Sequence, residues 1–281
     1  MSIIVNHLSY VYNKDTALSV KALDDVSFTV NDGEYIGLIG HTGSGKSTLV
    51  QIMDGLIKPT DGGVYYNGEN IGDDDFDMKK YRSKVGLVFQ YPEHQLFEED
   101  VFTDVCFGPK NLGLPQSEVQ LRAYEALKTV GIKDEDFYQS PFDLSGGEKR
   151  RVAIAGVLAM KPDMLILDEP TAGLDPKGRT EILELISRLH TEENITIVLV
   201  SHSMDDVARY ADRILVMNKS HLVFDDTPKN VFMYRKELDE MGLAVPEVTK
   251  VMQLIASRGI NVRCDAITIE EGLKACYEIL R

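Results

Sequence analysis

The residues Gly40-His41-Thr42-Gly43-Ser44-Gly45-Lys46-Ser47-Thr48 fit G-x-x-x-x-G-K-[ST] without substitution, a pattern whose chemistry is the holding of phosphate. Glycines 40, 43 and 45 let backbone N–H groups turn toward an anion. The helix that begins behind them adds the positive end of its dipole, and Lys46 brings a mobile full charge. The Ser47 hydroxyl suits Mg²⁺. The dinucleotide fingerprint does not fit, because Thr48 stands where its last glycine is needed.

A second group of chemically able residues closes the run Met164-Leu165-Ile166-Leu167-Asp168-Glu169-Pro170. Four apolar residues read as a buried strand and the proline stops it, so two carboxylates are presented at its carboxyl end. Asp168 suits an outer-sphere Mg²⁺ ligand, and Glu169 a general base that takes a proton from water. Ser201-His202 ends another apolar run, Ile195 to Val200, from which His202 could reach a γ-phosphate. Gln90 ends the run Lys84 to Gln90 before Tyr91-Pro92. The carboxyl ends of strands in open α/β sheets are where ligands bind.

Leu144-Ser145-Gly146-Gly147-Glu148 opens a helical stretch. Ser145 and Glu148 have capping-box spacing, which a plain helix start would explain. Two adjacent glycines in a first turn, however, cost about 1 kcal/mol each relative to alanine. Removing side chains there opens the N–H groups to something that approaches, which makes a second anion site separate from the first.

These groups need a scaffold of alternating strands and helices. Tyr35 to Ile39 reads as a buried parallel strand, and Leu49, Val50, Ile52, Met53 and Leu56 recur at helical spacing after the glycine loop. Ile3/Val5 and Val26 to Val30 alternate as a pair of antiparallel strands ahead of it, broken at Asn31-Asp32-Gly33. Tyr12 lies exposed near the end of the first, free either to pack or to stack flat on a purine. Lys58 to Gly63 reads as a break, and Val64 to Gly68 as strand and turn. Asp73 to Asp77 lacks the glycine and the final glutamate of a calcium loop, so it reads as a solvated acidic loop. Residues 92–160 form a helical insertion, clearest at Ser117 to Val130. Beyond Asp225, amphipathic stretches at Glu247 to Ser257 and Ile269 to Leu280 suggest a small helical appendage.

With 281 residues, 43% of them hydrophobic, the chain can build a full core as one large or two modest domains. The 30 basic against 45 acidic residues leave a net charge of −15, which argues against nucleic acid as a partner. Cys106, Cys264 and Cys276 have neither disulfide nor zinc spacing. Met1 to Lys14 has no secretory pattern and no run is apolar enough to span a bilayer, so a cytoplasmic protein is expected, held at any membrane by another protein.

Taken together these motifs resemble the ATP-binding subunits of ABC transporters, over Tyr12 to His202 and in that family's order. The resemblance implies the α/β fold of a P-loop NTPase, with a RecA-like core, an antiparallel β subdomain and a helical subdomain in residues 1–225. It makes residues 226–281 a carboxyl-terminal extension, a contact between ATPases. It implies ATP and Mg²⁺ as cofactors. Tyr12 becomes the adenine-stacking aromatic and Gly40 to Thr48 the Walker A loop. Gln90 becomes the Q-loop residue touching the metal, and Ser145, Gly146 and Gly147 the signature. Leu165 to Asp168 become Walker B, Glu169 the catalytic base, Asp175 the D-loop aspartate and His202 the switch histidine.

Head-to-tail pairing, with ATP between one subunit's Walker A and the other's signature, would explain two separate anion sites in one chain. Gln90 to Phe97, Val105 to Asn111 and the His41-Thr42 pair resemble the energy-coupling factor branch, which imports vitamins and transition metals. That branch implies a second, related ATPase, a transmembrane coupling protein and a substrate-binding membrane protein, with this chain peripheral at the cytoplasmic face. Gln95 to Asp100, with apolar Leu96 and Phe97 beside three acids, would dock the coupling protein, unless the two apolar residues are simply core. The alternatives are another ABC importer or exporter, or a soluble ABC ATPase. The chromosome-maintenance type would need a long coiled coil, which is missing, and the translation type would carry two cassettes.

Overall fold

Apolar residues at alternate positions drive the first layer in the computed structural model, which describes residues 2–279. β1 (Ser2–Tyr12) buries Ile3, Val5 and Leu8, and β2 (Val20–Asn31) buries Leu23, Val26, Phe28 and Val30. The two pair antiparallel, with Ile3 opposite Val30 and Val5 opposite Phe28, so their apolar faces coincide. β3 (Tyr35–Gly40) is buried at every position, as a strand covered on both faces must be. It leads through the glycine loop into α1 (Lys46–Met53).

β4 (Asp61–Tyr66) and β5 (Glu69–Asn70) complete a four-stranded antiparallel sheet of order β2-β1-β4-β5. β4 begins three residues earlier than the glycine-rich break suggested. Gly62 has φ +74° and lies against the His7 carbonyl, where the β1 register shifts between Asn6 and Ser9. The break is therefore a bulge inside the ladder.

α2 (Met78–Lys84) starts on an Asp77 cap and leads into β6 (Val85–Val88). The helical layer is α3 (Val101–Asn111), α4 (Gln116–Thr129) and α5 (Gly146–Leu158), joined around Val101, Val105, Val119, Ala123, Leu127 and Val152. The chain returns as β7 (Met164–Asp168), α6 (Pro176–Glu193), β8 (Thr196–Val200), α7 (Met204–Tyr210), β9 (Arg213–Asn218) and β10 (His221–Asp226). The second sheet has the order β10-β9-β3-β8-β7-β6 and is parallel except for β10 at its edge.

α8 (Pro228–Met233), α9 (Arg235–Glu240), α10 (Glu247–Ser257) and α11 (Ile269–Ile279) follow. The appendage reading extends to Leu280, which lies outside the described residues. Val231, Phe232, Leu238 and Val245 share one core with Ile39, Val207 and Val216, so packing runs unbroken past residue 226. α10 and α11 form a separate small core around Met252, Ala266 and Ala275. The three cysteines are free. Among the described residues no helix is long and apolar enough to cross a membrane.

Just past α1, Asp54 is buried, and burial pushes its carboxyl up to about 7 against the weaker pull of Arg82. The folded state thus holds a proton that the unfolded chain releases near 3.8. Stability falls as pH climbs from that value to about 7 and stays lower above it. Asp54→Asn should raise the melting temperature by several degrees at pH 8 and change it little near pH 4. Equal shifts at both pH values in thermal unfolding would contradict this.

Candidate functional site

Because β3, β6, β7 and β8 run parallel, their carboxyl ends bring distant sequence segments to one edge of the sheet. A cleft of 520 Å³ opens there, lined by Thr42, Gly43, Gly45, Lys46, Ser47 and Thr48 of the glycine loop, by Gln90, Glu169 and His202, and by Tyr12. Gly45, at φ +107°, has a backbone that other residues rarely adopt, and a methyl carbon placed on it would lie 2.3 Å from the Ala22 carbonyl oxygen.

Lys46 is buried and its Nζ donates to the carbonyls of Gly40 at 2.7 Å and His41 at 3.2 Å. Burial lowers its pKa, while the charges of Glu169 and Asp168 act in the opposite sense. Gly40 and His41 thus serve the loop through their carbonyls and do not line the cleft. Ser44 is also turned inward, with its N–H donating to the His41 carbonyl.

The Asp168 carboxylate is buried, and Ser47 beside it favours its charged form. Burial raises its pKa, and the neighbouring Glu169 charge adds to the rise despite Lys46. Glu169 takes a left-handed backbone, φ +50°, rare for a residue with a side chain. In that pose one carboxylate oxygen accepts from Gln90 Nε2 at 2.9 Å and the other lies 2.7 Å from His202 Nε2. The base expected from the sequence is therefore held from both sides, by residues 79 and 33 positions away in the chain.

Tyr12 is 37% exposed and its hydroxyl bonds Thr48 Oγ1 at 3.0 Å. Its ring meets Tyr10 edge-on, leaving it beside the cleft mouth. Three further lining residues, Val20, Lys21 and Ala22, come from β2. Sequence reading missed them, because no motif marks which part of a strand turns toward a loop folded later.

Ser145, Gly146 and Gly147 stand outside this cleft. Ser145 caps α5 in a full capping box: its Oγ accepts from the Glu148 N–H at 3.4 Å, and Glu148 accepts from the Ser145 N–H at 2.9 Å. Methyl carbons placed at Gly146 or Gly147 would meet nothing within 4 Å, so this helix start opens onto free space. Asp175 is exposed and caps α6, accepting from the Gly178 N–H at 2.8 Å.

Arg150, one turn into α5, was not recognised in the sequence. It is 1% exposed and grips Glu93 with two bonds, Nε at 3.1 Å and Nη2 at 2.6 Å. Its Nη1 donates to the carbonyls of Pro170 at 2.7 Å and Ala172 at 2.8 Å. One side chain thus joins α5 to the segment after Gln90 and to the segment after Glu169. Burial acts to raise the Glu93 carboxyl, but the Arg150 bonds and charge prevail and hold it below the usual range.

The ABC transporter family matches residues 23–172. The energy-coupling factor transporter ATP-binding protein EcfA2 of Caldanaerobacter subterraneus is 51% identical over the whole chain and 98% of its own length. That of Clostridioides difficile is 49% identical, again over all of this chain and 98% of the relative. Among solved structures, CbiO1 of Clostridium perfringens, part of the complex cbiONQ, superposes with a TM-score of 0.75 at 37% identity, over 89% of this chain and 98% of that one. The ATP-binding cassette MJ0796, as a dimer bound to ADP and Pi, gives 0.72 at 30% identity, over 80% and 98%. The chain belongs to the ABC transporter family, in the energy-coupling factor branch of its ATP-binding subunits, and is an ATPase.

Truncating Arg150 leaves the half-buried Glu93 carboxylate and two carbonyls without a donor. Arg150→Ala should cost about 3–5 kcal/mol, read as a large drop in urea midpoint. Arg150→Met, which fills the space but leaves Glu93 uncompensated, should recover only part of it. A midpoint unchanged in Arg150→Ala would show that the contacts carry no weight.

Proposed function

We propose that this subunit powers an importer of vitamins or transition-metal ions, working as one half of a head-to-tail pair with a related but distinct ATPase. The observation that carries the reading is the separation of the cleft at Lys46 from the open helix start at Ser145. Each subunit then supplies half of two composite sites. The nucleotide phosphates lie along Gly43 to Thr48, the purine against Tyr12, and the partner's Ser145, Gly146 and Gly147 close over the γ-phosphate. Glu169 accepts a proton from the attacking water, while Gln90 and His202 fix its orientation.

Mg²⁺ fits the donor set. Ser47, Asp168 and Gln90 offer oxygens where buried Asp168 adjoins half-buried Glu169, and a divalent cation would relieve the repulsion that Glu169 exerts on Asp168. Among the described residues no cluster of three acids, histidines or cysteines could hold a metal without the nucleotide. Mg²⁺ usually binds through a few protein groups plus phosphates and water. When bound it neutralises charge on the phosphates.

The membrane side of the reading rests on an apolar groove of 650 Å³ in the helical layer, larger than the nucleotide cleft, where exposed Phe97 and Phe107 meet edge-on at 5.0 Å. Leu96 is buried at its floor, so Phe97 and Phe107 are the anchors. Asp100 caps α3 through Thr103, and Asp104 accepts the N–H groups of Phe97 and Glu98. Of the three acids in Gln95 to Asp100, only Glu98 and Glu99 remain for a basic helix of the transmembrane coupling protein. A substrate-binding membrane protein completes the assembly, with this chain peripheral at the cytoplasmic face and the surface of α10 and α11 contributing to the ATPase pair.

Glu169→Gln should keep ATP binding and slow steady-state hydrolysis by the assembled complex by about 10²- to 10⁴-fold. Full turnover in that variant would remove Glu169 from the chemistry. Glu98→Lys with Glu99→Lys, leaving the Asp100 cap intact, should weaken co-purification with the membrane subunits in a salt-dependent way. Normal assembly and transport would exclude the groove as the docking site.

A further inference from the structure

In a chain of net charge −15, one basin of 520 Å³ is lined by Lys79, Lys80, Lys84, Arg122 and Lys161, with Asp77 as its one acid. Asp77 is committed to the cap of α2, where it accepts the Lys80 N–H at 2.9 Å. Three of the cations are balanced by acids outside the basin: Lys84 by Asp163 at 3.0 Å, Arg122 by Glu118 at 2.6 Å, and Lys161 by Glu125 at 3.1 Å. Lys79 and Lys80 have no carboxylate partner among the described residues, and both are exposed. Arg82, on the same helix, donates to the Gly55 carbonyl and its charge faces Asp54. Lys79 and Lys80 are therefore two exposed cations without a carboxylate partner among the described residues, on a protein that is otherwise acidic.

The basin is continuous with the apolar groove, since Lys79, Leu112 and Met160 line both. Resting on the reading of that groove as the membrane docking site, we propose that the α2 basin binds the anionic phospholipid headgroups of the leaflet beside the docked subunit. The chemistry of the free cations decides between a lipid surface and an acidic protein segment. Lys79 and Lys80 are hydrated point charges on flexible stems, whereas the planar fork that would grip a peptide carboxylate, Arg122, is already closed on Glu118. Exposed lysines of this kind are drawn to a phosphate-bearing surface as a whole and need no single fixed partner.

The test uses the full-length chain in flotation with vesicles of phosphatidylcholine alone or of phosphatidylcholine and phosphatidylglycerol in equal parts. The chain should float with the second and not the first, and binding should vanish in high salt. Each lysine removed should weaken it by about fivefold, so Lys79→Ala with Lys80→Ala should lose about 25-fold. Lys79→Arg with Lys80→Arg should bind as the parent does, and melting curves check that all variants fold.

Phe97→Ala with Phe107→Ala separates the two readings. It should lose the membrane subunits if the groove docks them, and keep its affinity for the vesicles. Equal binding to both kinds of vesicle, or undiminished binding by the double alanine variant, overturns the proposal. So does displacement from the vesicles by inorganic phosphate well beyond that by chloride at equal ionic strength, which would mark a single-phosphate pocket. Loss of assembly by the double alanine variant in neutral detergent free of anionic lipid would identify an acidic protein segment as the occupant, and would overturn it too.

Discussion

The buried guanidinium of Arg150 is the constraint on which the geometry of the site depends. A cation at 1% exposure is tolerable only with its hydrogen bonds met, and here the acceptors belong to Glu93, Pro170 and Ala172. They come from the segments that follow Gln90 and Glu169. α5, which carries Ser145 at its start, cannot shift relative to those segments without stranding a charge. Such a tie adds less stability than apolar side chains of the same size would, but it fixes one arrangement. Tyr91, with its left-handed backbone and its ring 5.9 Å from the same guanidinium, belongs to this knot.

The parallel sheet does the rest of the positioning. β3, β6, β7 and β8 all end at one edge, so the glycine loop, Gln90, Asp168 with Glu169, and His202 meet although they span more than half the chain. The antiparallel layer adds Tyr12 and the Val20 to Ala22 segment to the same cleft. Backbone strain falls where the carboxylate must be aimed, as it does at Tyr91. Glu169 takes the unfavourable φ, and the Ala172 N–H donating to its carbonyl helps hold it there.

Most of the site was legible because its parts are local. A glycine loop between a strand and a helix, an acid pair before a proline, and a capping box each announce themselves within a few residues. What was hidden depends on contacts far apart in sequence. Arg150 looked like one of three adjacent basic residues, and nothing in Lys149-Arg150-Arg151 says which of them turns inward. The Gly62 bulge looked like a break, because a glycine with positive φ reads the same inside a ladder as outside it. Asp100 counted as one of three docking acids until α3 claimed it for its cap. The balance of charge on α2 was equally invisible, since its neutralising or absent partners lie on other elements.

Lys46 spends its hydrogen bonds on the carbonyls of its own loop. Those bonds brace the loop from within, so the cradle has its shape before any phosphate arrives. An incoming nucleotide then has little backbone to order, and the entropy of closing a flexible glycine-rich segment is met during folding instead of at the moment of capture. The lysine need only swing from one set of oxygens to another, exchanging partners of like chemistry. On the proposed reading, capture becomes a substitution at a preorganised centre.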